Sequence, residues 1–157
     1  LRQKGDCEHD LVLVGQMTWK GHRIQAEAER LGGSRFVRQT GYVSEAELVA
    51  LYNRAEIFAY PSTFEGFGLP VAEAMACGVP VLTSNTSALP EVAGNAAITV
   101  DPFDEEAIGD GLRRLLQDAA LRQQLRVDGF VQAQRFNWRT TAEQTAQVYA
   151  RALGSSR

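Results

Sequence analysis

Apolar and β-branched residues recur along this chain in short blocks, and most blocks are followed by a stretch whose apolar positions repeat every three or four residues. The blocks at 10–15 (DLVLVG), 35–40 (RFVRQT), 56–61 (EIFAYP), 79–84 (VPVLTS) and 97–101 (AITVD) predict strands. Between them, 21–32 (GHRIQAEAERLG), 44–55 (SEAELVALYNRA) and 69–78 (LPVAEAMACG) predict helices. Ser44 with Glu47 has capping-box spacing, Pro70 falls in a first turn, and Gly32 and Gly78 stand just past helix ends. Residues 104–135 predict two helices broken near Asp118, and 140–153 (TTAEQTAQVYARAL) a terminal helix with Ala142, Ala146, Tyr149 and Leu153 along one side. Trp138 is expected to anchor that helix, Met75 and Cys77 to lie in the core, and 154–157 to fray.

Strands alternating with helices imply βαβ crossovers, at most four in succession here. The expected fold class is therefore α/β, a Rossmann-like parallel sheet with helices on both faces. In such sheets ligands bind beyond the carboxyl ends of the strands. That rule directs attention to the loops GQMTWKGH (15–22), GYVSE (41–45), PSTFEGFG (61–68) and SNTSALPE (84–91).

Composition narrows the picture. The 157 residues, 45% hydrophobic, suffice for one core and suggest a single domain over 1–157. A net charge of -3 with no long block of one sign gives no footprint for a nucleic-acid backbone, so nucleic acid is excluded as a partner. Cys7 and Cys77 are far apart and in no ligand spacing, so neither a zinc site nor a disulfide framework is expected, and a cytoplasmic setting fits. No apolar run approaches the roughly 20 residues of a membrane span, and the polar start resembles no signal peptide. The chain starts at Leu1, without methionine, which suggests a piece of a longer protein.

The third loop carries the chemistry. Glu65 precedes Gly66, Phe67 and Gly68; Leu69 and Pro70 open the helix; Glu73 lies one turn inside it. Glycines without Cβ let backbone amides approach a ligand, and the helix start aims free N–H groups and its positive dipole end at the same point. A phosphate suits that point, and carboxylates on either side suit the vicinal hydroxyls of a ribose or hexose. Taken alone, two acids near a helix start are equally well read as dipole partners worth about 0.3–1 kcal/mol each.

The full string is more specific. EGFGLPVAE, with AEAMACGVPVLTSNTSALPEVAGNAAITVDPFDEEAI, GYVSEAELVALYNRAEIFAYPS and FNWRTTAEQTAQVY, resembles the retaining glycosyltransferases of GT-B fold, family 4 (group 1), over nearly the whole chain. The resemblance is to their C-terminal, donor-binding domain with its first strand–helix unit missing. It implies that Glu65 lies beside the transferred sugar, positioning it and stabilising charge, and that retention follows a front-face route in which the leaving phosphate helps deprotonate the acceptor. It also implies that Gly66, Phe67, Gly68 and Leu69 contact donor sugar and phosphates, that Glu73 binds the ribose, and that Gly41, Tyr42, Val43 and Leu48 meet the nucleobase. No cofactor and no metal is implied. The donor would be a nucleotide sugar, GDP-mannose or a UDP-hexose. A glycan or lipid-linked acceptor would be held by an N-terminal domain that this chain lacks.

Secondary candidates are Gly15 and Lys20, after the first strand, as phosphate contacts, with Trp19 left open between a site role and a solvated one as Lys20 is; His9 and His22 are read as surface residues. The basic residue that neutralises the pyrophosphate in the family would precede Leu1, so the piece is expected to bind nucleotide weakly and not to turn over. An exposed sheet edge predicts weak self-association. Attachment to the inner face of the membrane is left to the complete protein. A non-catalytic nucleotide module and a sugar-nucleotide epimerase of the same fold stay open as alternatives. An oxidoreductase fits less well, because GxGxxG is absent after the first strand.

Overall fold

The computed structural model of the protein describes residues 1, 5, 7–16, 21–33 and 35–154. They divide into two compact units, Leu1–Arg54 and Ala55–Arg157.

In the first unit, β1 (Leu11–Val14) and β2 (Val37–Gly41) pair in parallel, joined by α1 (Gly21–Arg30). Helix α2 (Glu45–Arg54) follows, and its start is the expected capping box. The Glu47 carboxylate accepts from the Ser44 amide and hydroxyl at 2.7 Å each. Leu11, Val12 and Val14 of β1 are exposed.

The second unit is a three-stranded parallel sheet in the order β3 (Phe58–Tyr60), β4 (Val81–Ser84), β5 (Ala97–Val100). Helix α3 (Leu69–Ala76) joins β3 to β4, and α4 (Leu89–Ala93) joins β4 to β5. All four residues of β4 are buried, as a central strand with covered faces requires. Leu82 and Val100 pack with Leu115 of α5 (Glu105–Gln117) and Leu125 of α6 (Ala119–Ala133) into one core. Val71, Ala74 and Met75 bury the inner side of α3, which packs on α6. Asp118 ends α5 and caps α6, accepting from the Leu121 amide at 2.8 Å, which is why the helical pattern breaks there.

The parallel strand–helix alternation is as expected, with four differences in detail. The described strands form two sheets instead of one ladder. Within SNTSALPE, the short helix α4 appears where turn residues had suggested loop; its Leu89, Val92 and Ala93 are buried, so packing decides over local composition. The terminal helix α7 (Trp138–Gly154) buries none of its residues, and Trp138, 77% exposed, does not seat it in the core of the described residues. The helix is started instead by Asn137, whose side chain accepts from the Thr140 amide at 2.8 Å. The aromatic that packs is Phe136, just before the cap. Cys77 is half-buried rather than core, and burial followed by the charge of Glu73 pushes its thiol pKa up. Among the described residues, no helix is long and apolar enough to cross a membrane.

Candidate functional site

The loop from β3 to α3 is shaped by its last residue. Gly68 adopts φ +105°, ψ +46°, and a Cβ there would stand 2.6 Å from Leu89 Cδ2, so only glycine lets the chain turn against buried α4. No side chain caps α3. The amides of Gly66, Phe67, Gly68 and Leu69 have no acceptor among the described residues, so a group of backbone donors stands open where the helix dipole is positive. Phe67 is fixed from outside the loop, its ring meeting Phe136 edge to face at 5.3 Å between centroids.

The end of β3 and this loop are tied to the end of β4 and the segment after it. Thr83 Oγ1 donates to the Tyr60 carbonyl at 2.9 Å, Ser84 Oγ to the Ser62 carbonyl, and Thr86 Oγ1 to the Thr63 carbonyl at 3.3 Å. Ser87 Oγ accepts from the Glu65 amide at 3.1 Å. Ser87 itself has φ +54°, a left-handed conformation otherwise taken only by glycines among the described residues.

Glu65 is half-buried. Its Oε1 accepts from the Tyr60 hydroxyl at 2.7 Å and from Ser62 Oγ at 2.9 Å. Burial first, and then this hydrogen bond and the carboxylate charge, push the Tyr60 pKa up to about 12. Glu73 lies exposed on α3, one turn in from the open amides.

In the first unit, Gly15 (φ +124°) and Gly41 (φ +69°) end β1 and β2, and the Gly15 amide donates to the Gly41 carbonyl at 3.0 Å. Tyr42 is 83% exposed; Val43 and Leu48 are partly buried. Lys20, Trp19 and the His22 side chain lie outside the described residues. Among the described residues, no cluster of His, Cys, Asp and Glu is arranged to hold a metal ion.

Sequence reasoning missed Tyr60, Ser62, Ser87 and Phe136. Tyr60 and Ser62 looked like strand and turn residues, and nothing in their spacing shows that both hydroxyls reach one oxygen of Glu65. The hydroxyl-rich run TSNTS (83–87), which begins in the last two residues of β4, was the available signal.

The family model described as "Glycosyl transferases group 1" matches residues 1–130. The chain belongs to that family. It is 40% identical over 141 residues to the O-antigen chain mannosyltransferase B of Escherichia coli, covering 90% of this chain and 37% of that relative. The chain thus spans little more than a third of that relative's length. A solved structure of sucrose-phosphate synthase from Thermosynechococcus elongatus superposes with TM-score 0.85 at 29% identity, over 94% of this chain and 39% of that one. Anabaena Alr3699/HepE, solved in complex with UDP-glucose, shares the fold with TM-score 0.82 at 20% identity, over 90% of this chain and 40% of that one. As a group 1 glycosyltransferase domain, the chain has the Rossmann-like α/β architecture of GT-B enzymes.

Proposed function

We propose that the chain is the donor-binding half of a retaining glycosyltransferase that moves a hexose, with mannose the first choice, from a nucleoside-diphosphate sugar to a glycan or lipid-linked acceptor. The observation that carries this reading is the run of open amides from Gly66 to Leu69, flanked by Glu65 and Glu73. Mannose is favoured by the name of the Escherichia coli relative.

In this reading the diphosphate sits on the amides, so the charge that grows on the leaving group meets preorganised N–H donors and the helix dipole, without a metal ion. Gly66, Phe67, Gly68 and Leu69 supply those donors, Glu73 takes the ribose hydroxyls, and Glu65 holds the sugar and stabilises its developing positive charge. The leaving phosphate assists deprotonation of the acceptor on the same face. In the first unit, Gly41, Tyr42, Val43 and Leu48 are proposed nucleobase contacts; Gly15 and Lys20 are secondary phosphate candidates. The acceptor belongs to a further domain of the complete, cytoplasmic protein, which attaches peripherally to the membrane. The exposed apolar residues of β1 favour weak self-association of this piece.

The test is NMR of the chain with GDP, UDP, ADP and TDP and their sugar conjugates, with Glu73→Ala as control. Selective binding of one base, with amide shifts centred on Gly66–Leu69 and lost in the variant, supports the reading. Binding that leaves Gly66–Leu69 unshifted, or equal binding by the variant, overturns it.

A further inference from the structure

Glu65 is held at both ends. Its amide donates to Ser87, and its Oε1 accepts two hydroxyl hydrogens, from Tyr60 at 2.7 Å and Ser62 at 2.9 Å. Neither donor is free to wander. The Tyr60 ring stacks on Phe58, with centroids 5.8 Å apart and planes within 13°, and the Tyr60 carbonyl is bound by Thr83. The Ser62 carbonyl is bound by Ser84.

We infer that Tyr60 and Ser62 are positioning residues that saturate one oxygen of Glu65 and thereby present the other, Oε2, to the hydroxyls of the transferred sugar. The inference rests on the reading that Glu65 faces that sugar. A carboxylate oxygen has two lone-pair sites, and on Oε1 both are engaged. A sugar hydroxyl that needs an acceptor is therefore left with Oε2, so the cradle selects which edge of the carboxylate reads the ring. An unrestrained glutamate would have to give up its rotamer freedom as the donor binds; here that ordering is already done in the folded chain. With its pKa pushed up to about 12, the Tyr60 phenol stays a donor throughout the range where transferases work. Neither hydroxyl needs to touch the substrate, so the effect is on orientation rather than on nucleotide binding.

The test uses the complete transferase and its nucleotide-sugar donor, comparing Tyr60→Phe, Ser62→Ala, the pair together, Glu65→Gln, and Tyr60→Phe/Ser62→Ala in the Glu65→Gln background. The inhibition constant of the free nucleoside diphosphate reports whether the phosphate site survives. The expected result is a kcat about tenfold or more lower for Tyr60→Phe/Ser62→Ala, with nucleoside-diphosphate inhibition within about twofold of wild type, and no further loss when the pair is added to Glu65→Gln. If Glu65→Gln is impaired but Tyr60→Phe/Ser62→Ala turns over like wild type, the positioning role is overturned while the Glu65 reading stands. Additive losses in the Glu65→Gln background, or weaker diphosphate inhibition in step with kcat, overturn it too, because the hydroxyls would then act other than through Glu65. If Glu65→Gln itself is unimpaired, the underlying reading fails first.

Discussion

Phe67 and Phe136 meet edge to face, with ring centroids 5.3 Å apart and planes at 88°. One ring belongs to the glycine loop with the open amides, the other to the turn between α6 and α7. Apart from the hydroxyl tethers, this contact is the loop's ring anchor, and edge-to-face pairs contribute roughly 0.5–1.5 kcal/mol beyond their buried area.

Phe136→Ala is therefore expected to weaken nucleotide binding by about three- to tenfold and to speed exchange of the Glu65 amide, which the loop holds against Ser87 Oγ, whereas Phe136→Leu keeps part of both. Titration calorimetry and hydrogen exchange check this. Unchanged exchange at Glu65 in Phe136→Ala would show that the ring does not hold the loop.

Gly68→Ala puts a Cβ into the space of Leu89 Cδ2 and an L side chain at φ +105°. A loss of about 2–4 kcal/mol is expected from overpacking and backbone strain together. Leu89→Ala removes the clash but leaves a cavity, so Gly68→Ala/Leu89→Ala should be more stable than the sum of the single losses predicts, by denaturant unfolding. Strict additivity would place the cost of Gly68→Ala in the backbone alone.

Ser87 combines a left-handed backbone with an acceptor for the Glu65 amide. Ser87→Gly relieves the first and loses the second; Ser87→Ala loses the acceptor and keeps the strain. Ser87→Gly should therefore be the more stable of the two by about 1 kcal/mol, and both should exchange the Glu65 amide faster than wild type. Wild-type protection at Glu65 in either variant would refute the hydrogen bond's role.

Tyr60 ties the site to pH. Its folded pKa is raised from 10 to about 12, so the neutral phenol is the form the fold favours. That contribution is fully present below pH 10 and is lost as pH rises towards 12. The stability gap between wild type and Tyr60→Phe should accordingly shrink across that window, measured by urea unfolding at stepped pH. A gap that stays constant across the window would mean that folding does not raise the Tyr60 pKa.

Much of this was legible in the sequence because local rules and packing agree. Ser44 and Glu47, Asp118, Pro70 and the buried VLTS strand each combine a local signal with the matching tertiary environment. Trp138 and α4 were misread for opposite reasons. The size of Trp138 suggested an anchor, but Asn137 and Phe136 start and seat the turn. The turn-like residues of α4 hid a helix held by its burial. The candidate site divides the same way. Its glycines and carboxylates are spaced along one segment and can be read directly, whereas the hydroxyls around Glu65 come partly from Ser87, 22 residues away, and only the folded chain reveals them.

Three of the tethers between the two chain segments, from Tyr60 and from Thr83 onward, end on peptide carbonyls, those of Tyr60, Ser62 and Thr63, rather than on side chains. Every residue has such a carbonyl. The side chains of Thr63 and Phe64, both exposed, can therefore be exchanged without untying the loop, while Thr83, Ser84 and Thr86 cannot lose their hydroxyls without releasing it. The molecule thus separates a replaceable lip from a clasp that must keep its hydroxyls, and a library randomised at Thr63 and Phe64 would retune what the loop meets while leaving the glycine turn intact.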